Sequence, residues 1–378
     1  MREQQGVDTV LPLAALEQRI PELTKGRKVH THATSDHRTT ARIGKLLGAP
    51  LDFYDDDSFG STELITTLGK LRAAKQPEEI EAMRRTAAIT DEAHRAAMSL
   101  TRPGVTEERL AGAVTGTFAR HGCIPAYNTI LSVRGEVLHN NAHTNTCKDG
   151  DIVLLDAGAE GKSGYCSDVT RCWPVGGKFT PEAAEIYDCV LAAEMASIEM
   201  VRPGVRYRDL HLRSAQVIAE RLVGMDILRG NPDSLVEKGA HALFFPHGVG
   251  HLIGLDVHDM EGYGDRVHYA AGRSRSDQFG TAYLRLDVDL TEGMTFTIEP
   301  GVYFVPAILQ DATFREQFQN DVNWDRCEQF LRMNEGRGFG GIRIEDDVLT
   351  TSDSFEVLTA AVPKQRGEVE ALVGTAAN

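Results

Sequence analysis

Five widely separated residues, Asp156, Asp168, His251, Glu299 and Glu345, make a ligand set for two divalent ions. Four carboxylates offset the repulsion between two cations, and a bridging oxygen can serve both. Such a set points to a hydrolase that works through a metal-activated water. Hard oxygen donors favour manganese, with cobalt or zinc also accommodated. The run His247-Gly-Val-Gly-His251 puts two imidazoles four residues apart. Its glycines argue against the rigid helix of an HExxH zinc site. His251 is the ligand read from this pair. His247 and His258 are read as residues that bind substrate or stabilise developing charge. Taken singly, each histidine is as readily structural; their crowding into Phe245–Asp259 changes that balance.

Strands must carry these side chains. Asp151–Asp156 is a short apolar run whose last residue is an acid, an expensive burial for an unpartnered carboxylate. Ala157-Gly158 then permits a bend. A second strand is expected over Tyr165–Val175, containing Asp168. Thr295–Glu299 stops at Pro300-Gly301. Gly341–Glu345 puts Arg343 and Glu345 on one face by the two-residue period.

Helical spacing frames the strands. Pro77-Glu78-Glu79 is good helix-start chemistry, and Ile80, Met83 and Ala87 open an apolar face. Further helices are expected over Thr106–Arg120 and Thr180–Met200. Each of two helical stretches is followed by the same run, Arg102-Pro103-Gly104-Val105 and Arg202-Pro203-Gly204-Val205, a faint sign of internal duplication. Ahead of residue 72 lies a small separate unit, with helices expected over Leu13–Ile20 and Thr39–Leu47, a strand over Lys28–Ala33, and a helix to Leu71 capped by Ser61 or Thr62.

At 378 residues the chain suits one large domain plus a smaller one. Its net charge of −15 disfavours nucleic acid and anionic membrane, which need basic surface. The opening MREQQGVDTVLPL has no leader-type apolar core, so a cytoplasmic setting is the expectation. Six cysteines without a CxxC pair suggest neither a zinc-thiolate site nor structural disulfides.

The blocks Ile152–Phe179, Phe245–Asp259, Glu292–Tyr303 and Phe339–Asp347 resemble the metal-dependent Xaa-Pro peptidases, the prolidases and aminopeptidases P, over residues 72–365. The resemblance implies an α+β pita-bread (creatinase/aminopeptidase-like) catalytic domain over 73–370, behind a shortened N-terminal α/β lobe over 1–72. It implies that Asp156 and Glu345 bridge two metals, Asp168 completing one and His251 with Glu299 the other. It makes His139, His247, His258 and Arg343 active-site residues and Glu299 the carboxylate that helps activate the hydroxide attacking the bond before proline. Proline-containing dipeptides or short peptides are the implied substrates, and a homodimer or higher homo-oligomer the implied assembly. Tyr283-Leu-Arg285 and the insert Phe304–Phe339 resemble the dipeptidase branch, where the arginine matching Arg285 meets the free substrate carboxylate; a guanidinium fork suits that task. Prolidase is therefore the main expectation and aminopeptidase P the alternative.

Two departures stand out. One extra residue between Asp156 and Asp168 is absorbed by a turn at Gly161–Gly164, and the first unit is shorter than the family's usual N-terminal domain. Creatinase-like enzymes share the fold without needing all five ligands. A non-catalytic peptide-binding protein would show no divalent-metal binding or a filled cleft. Gly161-Lys162-Ser163 lacks the full phosphate-loop spacing.

Overall fold

The computed structural model of this protein describes residue 6 and residues 8–376. Met1–Gln5 and Val7, part of the stretch read above as lacking a leader core, lie outside the described residues. Two compact units emerge, one of residues 1–71 with Glu261–Val267, the other of Arg72–Met260 with His268–Asn378. The small unit holds helices Leu16–Thr24 and His37–Leu47 and most of Thr62–Ala73 around Ala33, Phe59 and Ile65. The strand expected over Lys28–Ala33 is reduced to one bridge, His32 to Gly60. Around that bridge Ala33 N donates to Phe59 O at 2.7 Å and Ser61 N to Thr31 O at 2.8 Å, too short a pairing to make a ladder.

Among the described residues, ten short strands build the large unit: β1 (Ile124–Pro125), β2 (Ile130–Ser132), β3 (Ile152–Asp156), β4 (Ala159–Glu160), β5 (Thr170–Pro174), β6 (Thr295–Ile298), β7 (Gly301–Tyr303), β8 (Gly341–Arg343), β9 (Asp346–Thr350) and β10 (Phe355–Val357). They pair antiparallel as β1–β4, β2–β3–β5, β6–β9–β10 and β7–β8. Both faces of β3 are covered, so it reads as an apolar run up to Asp156, whereas β5, equally buried, carries Thr170 and Arg171 with their hydrogen-bond partners. Trp173, Leu155, Val153, Phe118 and Met98 are wholly buried in one cluster against helices Pro77–Leu100 and Glu107–Arg120. Each such aliphatic or aromatic side chain contributes roughly 1.5–3 kcal/mol.

In the large unit the helices start where the sequence expects. In the small one Leu13–Ala15 is a 3-10 turn, its α-helix Leu16–Thr24 runs through Pro21, and the helix expected from Thr39 begins at His37, capped by Asp36. Pro77 opens its helix inside a capping box in which Glu79 accepts from the Gln76 amide at 2.6 Å. Thr106 and Thr180 cap helices Glu107–Arg120 and Pro181–Ile198. The two Arg-Pro-Gly-Val runs occupy equivalent places. Gly104 N donates to Cys147 O and Gly204 N to Leu290 O, both at 2.8 Å, just ahead of β3 and β6. Each half is thus a helix pair that delivers a ligand-bearing strand.

Among the described residues no helix is long and apolar enough to cross a membrane. All six cysteines are buried and unpaired.

Candidate metal centre

Strand register brings the five residues together. Asp156 ends β3 opposite Thr170 of β5. The hairpin then closes on itself: Ala157 N bonds Val169 O and Ser167 N bonds Ala159 O, both at 3.0 Å. Gly158 lies so near that a Cβ there would sit 1.7 Å from Ser167 O. Asp168 therefore stands in the extended chain just before β5, not inside a strand as expected. On the other side, Ile298 of β6 pairs with Asp346 of β9, and Gly301 of β7 pairs with Arg343 of β8. Both partners interrupt their ladders at one place, and Glu299 and Glu345 occupy that interruption. Thr170 O takes the Glu345 amide at 3.1 Å, while Val249 O and His251 O take the amides of Glu299 and Thr297 at 2.7 and 2.8 Å. Backbone hydrogen bonds thereby tie together all the ligand-bearing segments.

One atom of each of Asp168, His251 and Glu345 lies within 4.8 Å of the others, and all three residues are buried. The His251 ring shows why a cation belongs there. Its Nδ1 faces Leu252 O at 3.0 Å, an atom that only accepts, so Nδ1 carries the proton. Nε2 is left as a lone pair, 3.3 Å from Asp168 Oδ2 and 3.7 Å from Glu299 Oε1. Three acceptors facing one another fit a divalent ion, and the Leu252 contact orients the ring for it. Burial, then the Asp156 charge, pushes the Asp168 carboxyl up to about 8. Burial also raises Glu345 well above the ordinary range, with Asp168, Glu299 and Asp156 adding to it. Crowded, dry carboxylates of this kind are stable as anions only beside a cation.

The remaining expected residues surround this cluster. Arg343 is 3% exposed and donates to Asp156 Oδ2 at 2.6 Å, to Thr170 Oγ1 at 3.0 Å and to Tyr303 Oη at 3.1 Å. Burial opposes its charge, but Tyr303, Asp156, Glu299 and Glu345 outweigh that and hold its pKa well above the usual value. His247 Nδ1 donates to Gly248 O at 2.8 Å, and its Nε2 accepts from Tyr303 Oη at 2.9 Å. Both nitrogens are engaged, so His247 offers its ring rather than a free N–H. His258 meets His251 edge-on with centroids 4.2 Å apart, and burial holds it down at about 4. His139 lies on the loop after β2 with its residue surface open to solvent, and the partial desolvation of its ring, then Arg343, lowers its pKa. Arg285 is half-buried, and its positive charge reaches His139, His247, His251 and His258.

Three further residues emerge only from the structure. Tyr127 Oη donates to Asp156 Oδ1 at 2.5 Å and also lies in hydrogen-bond contact with Asp168. Burial and those two charges keep it protonated as a donor. Thr170 Oγ1 donates to Glu345 Oε2 at 2.6 Å while accepting from Arg343. Tyr303 completes the path from Arg343 to His247. Thr170 shares a face with Asp168 by the two-residue period, the one signal that could have marked it. Tyr127 sits in irregular chain, where no periodicity marks it.

Residues 81–352 match the profile of metallopeptidase family M24. The Xaa-Pro aminopeptidase of Escherichia coli (strain K12) is 36% identical over 381 residues, covering 98% of this chain and 76% of that protein. The Xaa-Pro dipeptidase of Homo sapiens is 35% identical over 333 residues, covering 85% of this chain and 64% of that protein. Among solved structures, E. coli aminopeptidase P with the inhibitor Pro-Leu aligns at a TM-score of 0.77 and 35% identity, covering 98% of this chain and 76% of that one. Pseudomonas aeruginosa aminopeptidase PepP aligns over the same shares at 0.76 and 30%.

Proposed function

The chain belongs to metallopeptidase family M24, and from that premise we propose that it is an Xaa-Pro aminopeptidase, releasing the first residue from peptides with proline second. The coarser statement needs no proposal: this is a metal-dependent peptidase of the pita-bread Xaa-Pro family, and it hydrolyses Xaa-Pro bonds. The observation that carries the finer reading is the extent of similarity. It spans 98% of this chain against the E. coli aminopeptidase but 85% against the human dipeptidase. That reverses the order of the two expectations drawn from the sequence.

In the proposed site Asp156, Asp168, His251, Glu299 and Glu345 would hold the divalent ions between them. Bound ions supply Lewis acidity, making a water nucleophilic and polarising the carbonyl before proline. Glu299 has an 18% exposed side chain, against 11% for Asp156 and 7% for Asp168, so it is the most accessible of these carboxylates. It takes the proton of the attacking water and returns it to the prolyl nitrogen as the C–N bond breaks. His258 donates to the oxygen on which charge develops. Arg343 holds Asp156 and, through Tyr303, sets the His247 ring, which with His139 lines the proline side. Proline has no N–H to offer, so ring and pocket contacts must recognise it. Manganese, a homo-oligomeric assembly and a cytoplasmic setting are carried into this proposal from the family resemblance and the sequence.

One observation favours dipeptidase activity: the Arg285 charge reaches the site histidines, where it can clamp a free carboxylate. The deciding experiment compares manganese-loaded protein on Gly-Pro, Ala-Pro, their C-terminal amides and Xaa-Pro tripeptides by product mass spectrometry. Efficient release of the first residue from tripeptides supports the aminopeptidase; cleavage confined to free-acid dipeptides overturns it.

A further inference from the structure

His258 lies on a turn with little ladder of its own. The chain pairs with β6 through Ile253, whose amide bonds Thr295 O at 3.2 Å, and returns when Asp259 N donates to Leu252 O at 2.9 Å. Between them Gly254 N bonds Asp256 O at 3.1 Å and Gly254 O takes the Cys166 amide at 2.8 Å, while His268 Nε2 meets Asp259 O at 3.0 Å. Side chains complete the hold. Carboxylates flank His258 on both sides, and one guanidinium joins them: Arg72 Nη2 donates to Asp256 Oδ2 at 2.8 Å and to Asp259 Oδ1. From the interior, Lys75 Nζ donates to Asp259 Oδ2 at 2.9 Å, with the two side chains only 2% and 1% exposed.

The other end of this clamp is anchored on the site's own framework. Lys75 N bonds Gly293 O at 2.8 Å and Ala74 bridges Met294, immediately before the strand that delivers Glu299. Gly254 leaves the room required, since a Cβ there would lie 2.6 Å from Asp259 Oδ2 and 2.8 Å from Lys75 Cε. A dry ammonium–carboxylate pair adds little net stability over apolar packing of the same volume, yet removing one partner is costly. A pair of that kind is well suited to holding one geometry. None of its members touches a metal-facing atom in the contacts described above.

We propose that Arg72 and Lys75 are positioning residues for His258: acting through Asp259, they hold the turn so that its imidazole meets the developing charge. This rests on the catalytic role given to His258 above. Lys75→Met risks the fold, so Arg72→Gln carries the test, its head being 27% exposed. Manganese-loaded variants are assayed on an Xaa-Pro tripeptide, with manganese affinity measured separately by calorimetry. Arg72→Gln is expected to lower kcat on the order of tenfold or more, because small displacements of a reacting group are costly. KM and manganese affinity should stay within about twofold, and Arg72→Lys should restore most of the rate. In a His258→Ala background, Arg72→Gln should cost nothing further, as two residues acting through one group are not additive. Unchanged kcat in Arg72→Gln beside an impaired His258→Ala overturns the proposal alone. So does an undiminished loss in the double variant, or a parallel loss of manganese affinity. Wild-type kcat in His258→Ala removes the catalytic premise, and the proposal with it.

Discussion

Thr170→Val isolates one hydroxyl at the heart of the site. Thr170 is fully buried, and valine fills the same volume, so no cavity opens. Two partners lose their bond together: Glu345 Oε2, 2.6 Å away, and the Nε–H of Arg343, 3.0 Å away. A bond to a charged group is worth about 1.5–3 kcal/mol, and a buried donor left unmet costs about 1–3 kcal/mol. Both effects pass through one atom, so they do not add in full, and about 3 kcal/mol is expected. For a cooperative unit of roughly 300 residues that lowers Tm by about 5 °C. Glu345 also loses what fixes its carboxylate plane. Removing such an outer support lowers metal affinity about 10- to 100-fold, or about 1.4–2.8 kcal/mol. Calorimetric melting of the ion-free protein reads the first quantity, and manganese titration against a competing chelator reads the second. Thr170→Ser keeps the hydroxyl and should recover most of both. A Thr170→Val protein that melts within about 1 °C of the parent and binds manganese within about twofold would refute the reasoning. So would a serine variant as damaged as the valine one, because the methyl would then be what matters.

Gly158→Ala should dislodge the turn between Asp156 and Asp168, since its Cβ would fall 1.7 Å from a carbonyl oxygen; manganese binding should fall at least about tenfold by titration. Arg285→Ala should raise KM for free-acid Xaa-Pro dipeptides about 10- to 100-fold while leaving Xaa-Pro amides unchanged, if the guanidinium clamps a carboxylate; equal effects on both would dismiss the clamp. Burial holds His241 at about 4 against an ordinary 6.5, so the unfolded chain binds a proton that the folded chain refuses between those values. Its contribution is present in full above pH 6.5 and lost as pH falls toward 4, by on the order of 3 kcal/mol. Urea unfolding at pH 7 and 4.5 should show a smaller acid loss in His241→Phe than in the parent, and equal losses would exclude this histidine.

What was legible in the sequence was local. Strand ends announce themselves where an apolar run meets an acid and then a glycine or proline, as at Asp156-Ala-Gly158 and Glu299-Pro300-Gly301. Helix starts do so where proline or threonine precedes glutamate. Lys28–Ala33 misled because its composition suits a strand while its pairing is confined to a short stretch, Thr31–Ala33 against Phe59–Ser61. The return of Glu261–Val267 to the first unit was equally hidden, because Tyr263 and Val267 look like any loop apolar residues until Phe59 and Ile65 are placed beside them.

The supports of the ligands escaped for a deeper reason. Thr170 reaches Glu345, and Arg343 reaches Asp156, across separations of 175 and 187 residues. What makes those meetings is register: Asp156 opposite Thr170, and Ile298 opposite Asp346. A two-residue period says which residues share a face but not which residue of another strand stands opposite. Slipping either pairing by one position would turn the slipped strand's side chains to the other face and misplace the ligand it carries or leads to, yet leave the periodicity intact. Register is set by contacts spread over the whole unit, among them the buried Arg171. Its guanidinium binds the carbonyls of Thr170 and Glu345 at 3.0 and 2.6 Å and the Asp346 carboxylate at 2.7 Å. That one side chain locks β5 to the junction of β8 and β9. The ligands are therefore properties of single strands, whereas their alignment is a property of the packed unit.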